Sequence, residues 1–115
     1  MDDHSVDEHF RDRDPALRET YDKLLEIVRR FGAVTEEPKK TSIHLVARSA
    51  FAGVANRKRE MILTIKAPAD IESSRIAKRE RVSANRWHIE VRLSAPEQVD
   101  EELAGWLSQA FAISG

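Results

Sequence analysis

The stretch Arg86-Trp87-His88-Ile89-Glu90-Val91-Arg92-Leu93 decides the class of fold. Trp87, Ile89, Val91 and Leu93 alternate with His88, Glu90 and Arg92, and a period of two sends the two sets to opposite faces of a strand. A strand that is apolar on one side and charged on the other belongs to a sheet with one buried and one open face. Upstream, Met61, Leu63 and Ile65 alternate in the same way with Ile62, Thr64 and Lys66. From Thr41 to Arg48, the set Ile43, Leu45 and Ala47 alternates with Ser42, His44, Val46 and Arg48. Three more segments read as strands: Val34 to Glu37 as a short edge that Pro38 ends, Phe51 to Ala55, and the charged run Lys78 to Val82. Residues 56–60 make a charged hairpin loop, and residues 83–85 a turn. Ser49-Ala50 is a weak turn signal, so one long bent strand competes with a hairpin there. Residues 70–77 read as a helical turn.

Helical spacing frames these strands. Asp14-Pro15 is a start signal, because the carboxylate accepts orphan backbone N–H groups and proline has none to lose. Leu17, Tyr21, Leu24, Leu25, Val28 and Phe31 follow on one stripe, and Gly32 reads as a left-handed stop. At the other end, Ser94-Ala95-Pro96-Glu97 resembles a capping box, and Val99, Leu103, Trp106, Leu107, Ala110 and Phe111 share a face. Trp106 is expected in the core. The expectation is an α+β fold: an antiparallel sheet of about five strands, with an N-terminal and a C-terminal helix packed on one face. Residues 5–13 read as a short helical turn that Ser5 caps, 14–93 as helix and sheet, and 94–113 as the last helix, all within one domain.

The chain has 115 residues, no cysteine and a formal charge of −1. Lacking cysteine, it has no disulfide, thiol nucleophile or cysteine-held metal. Apolar runs are too short to span a bilayer, and the acidic start lacks a secretory apolar segment, so a cytoplasmic protein without membrane contact is expected. The near-zero total hides segregation. Residues 1–38 carry 6 Lys/Arg and 11 Asp/Glu, residues 39–92 carry 13 and 5, and residues 93–115 carry none and 4. An acidic–basic–acidic layout is a physical feature that the sum conceals.

Several segments resemble a bacterial family named domain of unknown function 5655. They are Val6-Asp7-Glu8-His9-Phe10, Pro15-Ala16-Leu17-Arg18, Phe31-Gly32-Ala33-Val34, Pro38-Lys39-Lys40-Thr41-Ser42-Ile43, Phe51-Ala52-Gly53-Val54, Val91-Arg92-Leu93 and Trp106-Leu107. The similarity runs from about Val6 to Ala112 and rests on order and spacing. The resemblance implies no assigned activity, and it implies a domain that occurs alone, behind a small zinc-binding segment or appended to larger bacterial proteins; without cysteine, this chain looks like the stand-alone form. Where the family often has paired histidines, this chain reads Trp87-His88-Ile89-Glu90.

The polar phase of the strands supplies the candidate site: Thr41, His44, Arg48, Thr64, His88, Glu90 and Arg92. His88, Glu90 and Arg92 project from one side of one strand. Two His and one Glu are a legitimate metal set, but their spacing fits no metal signature. An anion pocket using Arg48, Arg92 and His88 is the better fit, since guanidinium forks suit carboxylate or phosphate. The ten cations Lys39, Lys40, Arg57, Lys58, Arg59, Arg75, Lys78, Arg79, Arg81 and Arg86 fall mostly in loops and strand ends. They suggest nucleic-acid contacts, but the few aromatics offer no stacking platform. His4 and His9 read as surface residues. No phosphate loop, nucleophile elbow or zinc-protease helix is present. The expected function is a small non-catalytic module binding an anionic or small-molecule ligand, without cofactor or metal. The alternatives are an interaction domain pairing through its sheet, as a homodimer or docked on a larger partner, a nucleic-acid accessory protein, or an enzyme using His88 and Glu90.

Overall fold

The computed structural model describes residues 4–114. The first helix, α1 (Pro15–Arg29), begins as the sequence dictates: the Asp14 side chain accepts from the Ala16 N–H at 2.9 Å, and Pro15 occupies the first turn. Ahead of it, a 3₁₀ turn spans Asp7–Phe10, with the Ser5 hydroxyl accepting from the Glu8 N–H. Gly32 is not in the compact left-handed well. Its φ is +158°, and a Cβ there would lie 2.8 Å from the tip of the Phe111 ring. That ring is itself held against Phe31 and Phe51. Glycine is thus required by close approach as much as by backbone angle.

Six strands follow: β1 (Thr35–Pro38), β2 (Ile43–Val46), β3 (Ala50–Asn56), β4 (Met61–Ala67), β5 (Ile76–Ser83) and β6 (Arg86–Leu93). They form one antiparallel sheet in the order β1-β2-β3-β4-β6-β5, one strand beyond the expected five or so. β2 and β3 form a hairpin, not one bent strand. A register shift after Leu45 and the bond from Ala47 N–H to the Ser49 carbonyl supply the reversal that the sequence signals weakly. Residues 70–77 hold a single turn and no helix: the Ile76 N–H bonds the Ser73 carbonyl at 3.1 Å, closing a turn over Ser74 and Arg75, and Ile76 then joins β6.

The two edges are built differently. β1 is short and ends in Pro38, which has no N–H to offer a further strand. β5 is exposed along nearly its whole length and carries Lys78, Arg79, Glu80 and Arg81, charges that discourage edge-to-edge association.

The core lies on one side of the sheet. Ile43 and Leu45, Ala52 and Val54, Met61, Leu63, Ile65 and Ala67, and Ile89, Val91 and Leu93 are buried with the stripes of α1 and of α2 (Glu101–Ser114) in one cluster. Trp106 belongs to that cluster. The Tyr21 hydroxyl donates to Glu36 at 2.7 Å, and burial together with that carboxylate drives its pKa upward. No helix among the described residues is long and apolar enough to cross a membrane.

The capping motif at residues 94–97 serves a different element. Gln98 Oε1 accepts from the Ser94 and Ala95 N–H groups and closes a 3₁₀ turn over Pro96–Gln98. α2 starts only at Glu101, where Asp100 Oδ1 accepts from the Leu103 N–H at 3.0 Å. Arg75 ties the extended connection to this start. It donates to both Asp100 oxygens, to Glu102 and to the Gln98 carbonyl, and lies over the Trp106 ring. The Arg75 pKa is raised: desolvation acts to lower it, but the hydrogen bonds to Asp100 and Glu102 outweigh that. The Asp100 carboxyl is held below its usual range, first by the Leu103 N–H and then by Arg75. A depressed carboxyl stabilises the fold above its unfolded value, near 4, and loses that contribution as pH falls through the lower folded value. Asp100→Ala is therefore expected to cost about 1 kcal/mol at pH 7, as helix caps do. Denaturant unfolding at pH 7 and pH 3 checks this: the gap to wild type should narrow at the lower pH.

Candidate functional site

The sheet face away from the helices is organised by strand register. Glu37 lies opposite His44, His44 opposite Gly53, Gly53 opposite Thr64, Thr64 opposite Glu90, and Glu90 opposite Lys78. This row crosses all six strands. Its ends are ion-paired, Glu37 to Lys39 at 3.4 Å and Glu90 to Lys78 at 4.0 Å. Its middle is not. His44 and Thr64 stand on either side of a residue with no side chain, and the result is a concavity of about 340 Å³. Ser42, His44, Thr64, Lys66 and His88 rise around a floor in which β3 presents Ala50, Gly53 and Ala55. Lys66 and His88 are the next register pair along β4 and β6. Lys66 is half-buried and forms no ion pair among the described residues.

Three of the expected site residues, His44, Thr64 and His88, come together here. Glu90 belongs to the row beside Thr64 but is engaged with Lys78. Arg92 lies opposite Ile62 and reaches Glu60 at 3.8 Å, toward the β3–β4 hairpin. Arg48 is exposed in the β2–β3 hairpin, at the opposite end of the sheet. Thr41 is exposed before β2 and lines a separate recess with His9, Lys40 and Asn56. Arg48, Arg92 and His88 therefore do not assemble into one anion pocket, because β2 is too short to carry Arg48 on the sheet and Arg92 has its own carboxylate.

Sequence reading passed over Lys66, Ser42 and Gly53. The signals were present. Lys66 shares the phase of Thr64 on β4, Ser42 that of His44, and a glycine inside an alternating strand marks a place where something approaches closely.

The basic centre is not one patch. Register places Lys39, Lys40 and the Arg57–Glu60 turn at one end of the sheet, and Arg81 and Arg86 at the other. Arg75 and Arg79 are spent on Asp100, Glu102 and Asp70. His9 Nε2 bonds the Lys39 carbonyl at 2.8 Å, and His4 lies 3.9 Å from Glu8. Among the described residues no three His, Asp or Glu side chains converge as a metal-binding group.

Gly53 is open to a direct test. A Cβ there would meet His44 Cδ2 at 3.7 Å, an ordinary contact. Gly53→Ala should leave unfolding free energy unchanged or raise it by up to about 1 kcal/mol, since it removes unfolded-state freedom without strain. Urea unfolding that showed a loss of that size would instead make Gly53 a requirement of the fold.

No match was found among curated proteins or among solved structures. One family profile matches residues 6–114, nearly the whole chain. By that match the chain belongs to the family described as Domain of unknown function (DUF5655).

Proposed function

We propose that this protein is a small non-catalytic module that binds an anionic small molecule on its open sheet face. The observation that carries the reading is the position of Lys66: half-buried, without a carboxylate partner among the described residues, and at the wall of a concavity shared with His44, His88 and two hydroxyls. A cation that is partly withdrawn from water and unpaired gains from a bound carboxylate or phosphate. The Ser42 and Thr64 hydroxyls border the same concavity and can hydrogen-bond polar groups elsewhere on the ligand. A concave site with a few convergent polar groups on a small-residue floor is the usual form of a small-molecule site.

Other readings have less support. Pairing through the sheet, with a second copy or a larger partner, would have to cover the polar row that runs from Glu37 to Lys78, and the charged β5 opposes association at that edge. Nucleic-acid binding lacks a continuous cationic track, since the free cations divide between the two ends of the sheet. An enzyme using His88 and Glu90 lacks a shared cleft, because Glu90 is turned to Lys78.

Isothermal titration against acetate, benzoate, inorganic phosphate, nucleotides and amino acids tests the proposal. At least one anion should bind saturably, and Lys66→Ala should weaken it roughly tenfold, about 1.4 kcal/mol. Failure of every anion, or an affinity indifferent to Lys66→Ala and His88→Ala alike, overturns it.

A further inference from the structure

The concavity on the open face does not end at Lys66 and His88. A second hollow of about 250 Å³ begins at the same two side chains and turns over the rim of the sheet. Its walls are Ser49 from the β2–β3 hairpin, Arg86 and Val82 from the β5–β6 hairpin, and Ile113 with Ser114 from the end of α2. The two hollows differ in character. The first is floored by Ala50, Gly53 and Ala55 and is largely hydrocarbon; the second adds a guanidinium to the shared Lys66 and His88. The Arg86 guanidinium bonds only the neighbouring Asn85 carbonyl and has no carboxylate among the described residues. Two unpaired cations and an imidazole thus meet at one end of a trough whose other end offers apolar surface.

Resting on the binding reading above, we propose that the ligand is an amphiphilic monocarboxylate: a flat apolar body on the β3 floor, with its carboxylate at the junction between Lys66, His88 and Arg86. Charge complementarity sets the head group. Arg86 suits a planar carboxylate through two parallel N–H donors, and Lys66 adds a point charge. The single charge follows from the far wall. The last turn of α2 presents its carbonyl end there, and that partial negative charge opposes a second negative charge on the ligand. The flat body follows from the floor, where small side chains leave a shallow trough bounded by His44 on β2 and Thr64 on β4. Apolar contact along that floor favours aromatic or short aliphatic acids over bare anions.

Titration calorimetry with 2-naphthoate, 2-naphthamide, 2-naphthyl phosphate, acetate and inorganic phosphate separates the elements of this proposal. 2-Naphthoate should bind at least about tenfold more tightly than each of the other four, a difference of one decade in affinity. Arg86→Ala, a change at an exposed side chain, should weaken 2-naphthoate severalfold and leave 2-naphthamide unaffected. Gly53→Leu should weaken both, with circular dichroism confirming a folded chain; should that variant not fold, Ala55→Phe fills the same floor. If acetate or inorganic phosphate binds as tightly as 2-naphthoate, the site reads charge alone: the amphiphile proposal falls and the anion-binding reading stands. If 2-naphthamide or 2-naphthyl phosphate matches 2-naphthoate, the monocarboxylate assignment is wrong. If none of the five binds but another anion does, the amphiphile proposal alone fails; if no anion binds, both readings fail.

Discussion

Both helices discharge their apolar stripes onto the same face of one sheet, and the rest of the molecule depends on that one-sidedness. β4 shows it most sharply. Met61, Leu63, Ile65 and Ala67 are buried, while Ile62, Thr64 and Lys66 between them remain partly in water. Because the side-chain period of a strand is two, a slip of one residue in the β4–β6 register would send Lys66 and Thr64 into the core and Leu63 out of it. The hydrophobic pattern therefore pins the register, and the register in turn sets which polar groups meet on the open face. His44, Thr64 and the Lys66–His88 pair are neighbours there because Ile43, Leu45, Leu63, Ile65 and Ile89 are neighbours beneath.

The charge layout of the chain acquires a physical meaning in this frame. Among the described residues, the acidic ends are mostly the helices and their caps, with Glu36 and Glu37 on β1, and the basic middle is the rest of the sheet and its hairpins. Much of the contrast is consumed where they touch: Arg75 holds Asp100 and Glu102 at the start of α2, and Arg29 approaches Glu36 across the edge of the core. Exposed pairs of this kind contribute little individually. Arg75 differs because one side chain gathers four acceptors and an aromatic face, which fixes an otherwise irregular connection of residues 68–75 against α2. Cations left without a carboxylate are then the informative ones, and Lys66 and Arg86 are the two that border the trough on the open face.

The fold class was legible from alternation and helical spacing alone, since both are local. Leu17 through Val28, Met61 through Ile65 and Trp87 through Leu93 carry their structure in their own periodicity. What was not legible depended on contacts distant in sequence. α2 starts only at Glu101, behind Asp100, because Gln98 folds back on Ser94 and Ala95, a choice that no single-residue preference announces. Residues 70–77 make one turn and no helix, and the Arg75 side chain within that turn is drawn to the other end of the chain. At the site, the polar phase of each strand correctly nominated His44, Thr64 and His88, but it could not tell which members of that phase share a hollow. Arg92 has the same phase as His88 yet lies toward Glu60, whereas Lys66, in the phase of Thr64, completes the wall. Gly53 creates the hollow by lacking a side chain, an effect visible only once its neighbours across β2 and β4 are known.

Ligand binding on the open face requires that the sheet have one covered and one uncovered face in solution. Nuclear magnetic resonance of the side chains in the presence of an inert, soluble paramagnetic agent measures this directly. The Thr64 methyl and the His44 ring should be broadened strongly, while the methyls of Leu63 and Ile65 on the same strand and the adjacent core keep their line widths. Equal protection of Thr64 and Leu63 would show that the second face is covered too, by another copy or another element, and would contradict an open binding surface.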